Sequence, residues 1–229
     1  MGAKRLVLFV EGDADEAAVH VLVRKVLTGL GGWEDFFLDD YVFRVGGIHG
    51  VTGSKRHDWV RWLGAANKRP NLGAVLLVLD GDADSVEGQP FCAARVAATL
   101  AQRAREAGAG QCFSVACVFA CREYESWLIA GVDSLRGKPL DDGRPGLRTD
   151  APNCPADTDV HPRGAKEWFK MNMERGYKPT TDQKPLTELL DLEVVRSRAR
   201  SFRRLESALR QLMAAVKSGK HIPSAERAG

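Results

Sequence analysis

Six consecutive apolar residues, Ala74-Val75-Leu76-Leu77-Val78-Leu79, run straight into Asp80-Gly81-Asp82-Ala83-Asp84. A Val- and Leu-rich run that ends at a turn signal reads as a strand buried on both faces, which requires a sheet covered by helices on either side. Carboxylates at every second position then mark the point where the chain leaves the core. Core packing does not account for them, because clustered aspartates repel one another and each loses hydration when buried. A hard divalent cation such as Mg2+ or Mn2+ relieves that repulsion and prefers oxygen ligands. The plainer reading is a solvated acidic turn, since Asp and Gly are common turn residues.

The same pattern recurs along the chain. Arg5-Leu6-Val7-Leu8-Phe9-Val10 is a short apolar run that stops at Glu11-Gly12. Residues 41–45 suggest a third strand, and residues 112–121 a fourth that stops at Arg122-Glu123-Tyr124-Glu125. Between the runs lie helical patterns. Val19, Leu22, Val23, Val26 and Leu27 share one face, Trp59, Trp62, Leu63 and Ala66 another, and a third helix is expected over about 89–106. The tryptophans read as core rather than as a base-stacking platform. Strands alternating with helices predict a mostly parallel, four-stranded, Rossmann-like sheet with right-handed crossovers. Ligands in such sheets bind outside the carboxyl ends of the strands. Three of the four expected ends carry acids: Glu11, Asp80 with Asp82, and Glu123 with Glu125. Asp13 and Asp15 also have an ordinary role open to them as caps of the first helix. The loop Gly46-Gly47-Ile48-His49-Gly50-Val51-Thr52-Gly53-Ser54-Lys55 fails as a phosphate-binding P-loop, because Ser54 precedes Lys55 and no glycine stands directly before the lysine. A flexible active-site loop stays open.

Charge is unevenly spread. Of 33 Lys and Arg and 30 Asp and Glu, 15 and 8 lie from Arg163 onward, which leaves 18 and 22 in front. An acidic front and a basic back suggest a metal site joined to a surface for an anionic partner. The chain divides on this basis into a core over 1–135, a Pro-, Gly- and Asp-rich surface excursion over 136–162, and a basic helical region over 163–229. Helices are expected there over about 164–175, 185–192 and 202–216. Arg198, Arg200, Arg203 and Arg204, with Lys178 upstream, are the candidate phosphate contacts, against the alternative of a merely solvated charged face. Cys154 and His161 do not by their spacing make a metal site. The five cysteines show no Cys-x-x-Cys spacing and read as free thiols. No apolar run is long enough for a membrane span, and no signal peptide stands at the N-terminus, so a cytoplasmic chain is expected.

Two other Asp-x-Asp chemistries fit less well. A calcium-binding EF-hand loop needs Gly at its sixth and Glu at its twelfth position, where this chain has Ser85 and Phe91. Haloacid-dehalogenase-type phosphatases carry Thr or Val after the motif, where this chain has Asp84. With Val10-Glu11-Gly12-Asp13-Ala14-Asp15-Glu16 on the first strand and Leu79-Asp80-Gly81-Asp82 on a later one, the chain resembles the Toprim domain of topoisomerases, primases and OLD-family nucleases. Asp15 stands where the Glu-Gly-x-x-Glu signature has its second acid. Glu123-Tyr124-Glu125-Ser126-Trp127-Leu128, Tyr177-Lys178-Pro179-Thr180-Thr181-Asp182 and Ser201-Phe202-Arg203-Arg204 are similar to segments of small stand-alone Toprim-like bacterial proteins. The resemblance implies an α/β core with a C-terminal helical extension. It further implies that Glu11, Asp15, Asp80, Asp82, Glu123 and Glu125, with Glu16 beside them, gather around one or two Mg2+ or Mn2+ ions. Among these, Glu11, Asp80 and Asp82 would be catalytic. The activity implied is endonucleolytic cleavage of nucleic acid, DNA ahead of RNA, in bacterial DNA repair or phage defence, with any ATPase on a partner chain. The alternative is a non-catalytic module that binds metal and nucleic acid, or a partner-protein subunit.

Overall fold

The computed structural model describes residues 2–154 and 164–225. Its strands are β1 (Lys4–Val10), β2 (Phe36–Leu38), β3 (Phe43–Arg44), β4 (Leu72–Asp80), the short hairpin β5 (Ser85–Val86) and β6 (Gln89–Pro90), and β7 (Ser114–Ala120). The main sheet runs β2-β1-β4-β7, with β3 also paired to β1, and all of its pairings are parallel. It has five strands where four are expected, because the edge beside β1 is split. Phe36–Leu38 pairs with the first half of β1 and Phe43–Arg44 with its last two residues.

Helices α1 (Asp13–Leu30), α2 (Ile48–Val51), α3 (Arg56–Asn67), α4 (Ala93–Ala104), α5 (Glu125–Ala130), α6 (Ala165–Asn172), α7 (Pro179–Leu189), α8 (Leu192–Arg198) and α9 (Arg200–Ser218) surround the sheet. The alternation of a strand's side chains sorts the core into two layers. Leu6, Leu8, Val10, Leu76, Val78, Ala116 and Val118 face the layer built by α1, α5 and α9. Val7, Phe9, Val75, Leu77, Val115 and Cys117 face the layer of α3 and α4, where Trp59 is fully buried and donates its indole N–H to Leu100 O at 3.0 Å. Cys117 is a buried thiol, and burial raises it to about 12.

The basic C-terminal region is therefore not an appendage. Phe202, Leu205, Leu209 and Leu212 of α9 lie on the sheet as part of the first layer. Residues 136–154 are also less loose than their composition suggests. Leu140, Leu147 and Ala151 are buried, and Leu147 bridges to both Arg136 and Met173. The remainder of the expected excursion, His161 included, lies outside the described residues.

The outgoing helices explain where a site can form. The helix after β1 packs on one face and the helix after β4 on the other, so the chain reverses its winding between these adjacent strands. A crevice opens at the carboxyl ends of strands at such a point.

Candidate functional site

Glu11 follows the last residue of β1, and its Oε2 accepts a hydrogen bond from the Asp80 amide across the crevice at 3.4 Å. The neighbouring loop is shaped around it. Gly47 has φ 76°, and a Cβ there would come within 3.3 Å of the Glu11 carboxyl carbon. Both the backbone conformation and the space call for glycine. The glycine-rich loop thus serves as the wall of the crevice.

Asp80 closes β4 and is buried. Its Oδ1 accepts from the Tyr124 amide at 2.8 Å. Beyond β7, Arg122 turns the chain with a left-handed φ of 67°, and Glu123 and Glu125 follow. Glu123 Oε2 caps α6 by accepting from the Ala165 amide at 2.8 Å. Glu125, fully buried, accepts from the Tyr177 hydroxyl at 2.9 Å through Oε1, and its Oε2 makes no hydrogen bond. Asp15, in the first turn of α1, accepts from the Gly12 amide at 3.1 Å and from Gln183 Nε2 at 3.3 Å. It is a helix cap and a member of the cluster at once. Asp82 is exposed at the lip, near enough that its charge acts on Glu11. Glu16 does not join them; it pairs with Arg44 at 3.6 Å on the solvent side, and Asp13 pairs with the same arginine.

Lys166 of α6 reaches into this group. Its ammonium lies 3.4 Å from Asp80, 3.7 Å from Glu123 and 4.0 Å from Glu125. Burial opposes that charge, but the three carboxylates outweigh it and raise the lysine's pKa. The acids remain under-neutralised. Burial raises the pKa of Glu11, Asp15 and Glu125, and that of Asp80 well above its usual range, with the nearby acids adding to the effect at Glu11 and Asp80. An all-oxygen donor set that resists carrying its own charge suits Mg2+ or Mn2+. Among the described residues no three His, Cys, Asp or Glu side chains are spaced to grip an ion as they stand, so a bound cation would draw the carboxylates together.

A family model described as Domain of unknown function (DUF4276) matches residues 10–210, a span that contains every one of these carboxylates and Lys166. The chain belongs to that family. No curated protein and no solved structure matches it.

The arginines that the sequence singles out lie elsewhere on this DUF4276 fold and are tied to it. Arg198 pairs with Asp133 at 2.6 Å and donates to Ala130 O, Arg203 donates to Arg196 O at 2.8 Å, and Arg204 donates to Ala225 O at 2.6 Å. Arg200, in the first turn of α9, is exposed. Arg196 grips the buried Glu206 through two nitrogens and also pairs with Glu193. Lys178 is placed differently. One residue after Tyr177, it lines a cleft of about 460 Å3 with Arg144, Arg175 and Asp182. The α7 helix behind that cleft contains Pro185, which has no N–H for Thr181 O; Arg144 Nη2 donates to that carbonyl at 3.3 Å instead.

Three residues of the site have no sequence signal of the kind that marks strand ends. Lys166 follows a helix start in a basic region and looks like any surface lysine. Tyr177 stands in a segment singled out only by its resemblance, and Gln183 falls between the expected helices over 164–175 and 185–192.

Proposed function

We propose that the chain is a divalent-cation-dependent nuclease that hydrolyses nucleic-acid phosphodiesters, as its resemblance to Toprim nucleases implies. The observation that carries this reading is the convergence of Glu11, Asp80 and Glu125 from the ends of three adjacent parallel strands, beside the point where the winding reverses. Glu11, Asp15, Asp80 and Asp82 would hold the cation, with Glu123 and Glu125, just beyond β7, adding negative charge beside it. The bound ion would neutralise charge on the phosphoryl group and lower the pKa of an attacking water.

The chain's own groups fit the remaining roles. Glu11 Oε1, which the Asp80 amide leaves unengaged, is the acceptor for the proton of the attacking water as the P–O ester bond breaks. The Lys166 ammonium offers positive charge to the phosphate oxygens. Lys178, with Arg198, Arg200, Arg203 and Arg204, would supply the contacts to the phosphate backbone, as the concentration of basic residues from Arg163 onward suggests. A second reading, a non-catalytic metal- and nucleic-acid-binding module or a partner-protein subunit, is favoured by the ion pairs through which Lys166 already serves half of the acids. Supercoiled plasmid with Mn2+ separates the two. The nuclease reading predicts nicking by wild type and none by Glu11→Gln. Equal nicking by both, or none of any DNA or RNA substrate even with a partner ATPase, would contradict it.

A further inference from the structure

The acids at the carboxyl edge fall into two groups that differ in what surrounds them. Asp80, Glu123 and Glu125 share the Lys166 ammonium at 3.4, 3.7 and 4.0 Å. The backbone fixes where that ammonium sits. Glu123 caps the start of α6 through the Ala165 amide, and Ala165 and Phe169 are buried, so the helix that carries Lys166 is held against the core. Glu125 Oε2, buried and without a hydrogen bond, is left facing the ammonium.

Glu11 and Asp15 are provided for in another way. Among the described residues no Lys, Arg or His nitrogen lies within 4.0 Å of either carboxylate. Their hydrogen-bonding neighbours are the neutral amides of Asp80, Gly12 and Gln183. Neutral donors orient a carboxylate and leave its charge in place. The Gln183 amide adds an oxygen, Oε1, that is buried with no partner.

We infer that Lys166 takes the place of one of two cations, so that the site binds a single divalent ion, on the Glu11 and Asp15 side. This rests on the cation-dependent reading above. Distances of 3.4–4.0 Å suit an ammonium and are far longer than the roughly 2.0–2.1 Å at which Mg2+ binds oxygen. A second ion among Asp80, Glu123 and Glu125 would have to expel the lysine, and beside it would be repelled by it. The charge of Lys166 also reaches Glu11 and Asp15, but from beyond 4.0 Å, so an ion on that side need not expel the lysine.

Counting bound Mn2+ by equilibrium titration, read by calorimetry and by electron paramagnetic resonance, tests the assignment without recourse to activity. Wild type should bind one Mn2+, Lys166→Arg should also bind one, and Lys166→Met, with its fold checked by circular dichroism, should bind two. Two ions in wild type, or a single ion in Lys166→Met, overturns the inference and leaves the cation reading standing. No Mn2+ bound by wild type overturns both. If Lys166→Met does not fold, Asp15→Asn should lose the single ion and Glu123→Gln should keep it, and the reverse pattern would overturn the inference.

Discussion

Glu11 and Asp15, just past the end of β1 and at the start of α1, have no cationic side chain within 4.0 Å among the described residues, whereas Arg196 in α8 binds Glu206 through two nitrogens and Glu193 through a third. Both regions lie at the same end of the sheet. Ser201, at the start of α9, accepts the Trp127 indole N–H just beyond β7, while the far end of α9 leads to Ile222, whose carbonyl accepts from Val115 at the start of that strand. In sequence both are simply concentrations of like charge. In the fold one is partly unbalanced and the other is largely answered from within. A run of charge along a chain therefore says little about function until its partners are known, and those partners come from distant segments. Glu206 sits ten residues from Arg196, and Asp133 sixty-five from Arg198.

The contrast can be broken from either side. The largest effect is expected in the arginine region. Arg196→Met leaves Glu206 buried without its counter-charge and should lower stability by about 3 kcal/mol, the low end for a broken buried pair because the arginine is partly exposed. Urea denaturation measures this. Glu11→Gln in the metal-free protein should go the other way, with stability unchanged or higher, because it removes a charge that burial disfavours. A large loss in Glu11→Gln and none in Arg196→Met would reverse the comparison. A smaller effect is expected from Arg203→Ala with Arg204→Ala. If these side chains also touch phosphates, the double variant should weaken nucleic-acid binding alike across sequences. It should also flatten the log-log salt dependence by about one unit for each phosphate left without its arginine. An unchanged salt slope would mean that these side chains serve the fold, as their hydrogen bonds to Arg196 O and Ala225 O do, and not a phosphate backbone.

The strand ends are readable in the sequence because burial on both faces demands an uninterrupted apolar run, and an acid at its end is then conspicuous. Val10-Glu11, Leu79-Asp80 and Ala120 through Glu125 all carry that mark, and the periodic faces of α1 and α9 are as plain. The split edge is not readable, since Phe36–Leu38 and Phe43–Arg44 are too short for a period of two to stand out. Nor is the return of α7 onto α1 and of α9 onto the sheet, because an amphipathic face shows that a helix is covered and not by what. Lys166 escapes for the same reason. Its meaning lies in three carboxylates more than forty residues away or on the other side of a long connection, and charge neutralisation across a fold leaves no periodicity.

The carboxyl edge is short of positive charge in the metal-free chain, and on the reading proposed above a divalent cation completes it. Thermal stability followed from pH 4 to pH 8, with and without Mn2+, puts both halves of that statement at risk in one experiment. The folded pKa values of Glu11, Asp15, Asp80 and Glu125 are raised above their unfolded values near 4. The folded state therefore holds more protons, and the stability these groups contribute is full below the unfolded pKa and lost as pH rises through the folded ones. The expected result is a metal-free Tm that falls as pH rises from about 4, after allowance for the same scan of Asp80→Asn. Mn2+ should raise Tm most at the alkaline end, where the carboxylates are ionised. A Tm that Mn2+ leaves unchanged at every pH would contradict it.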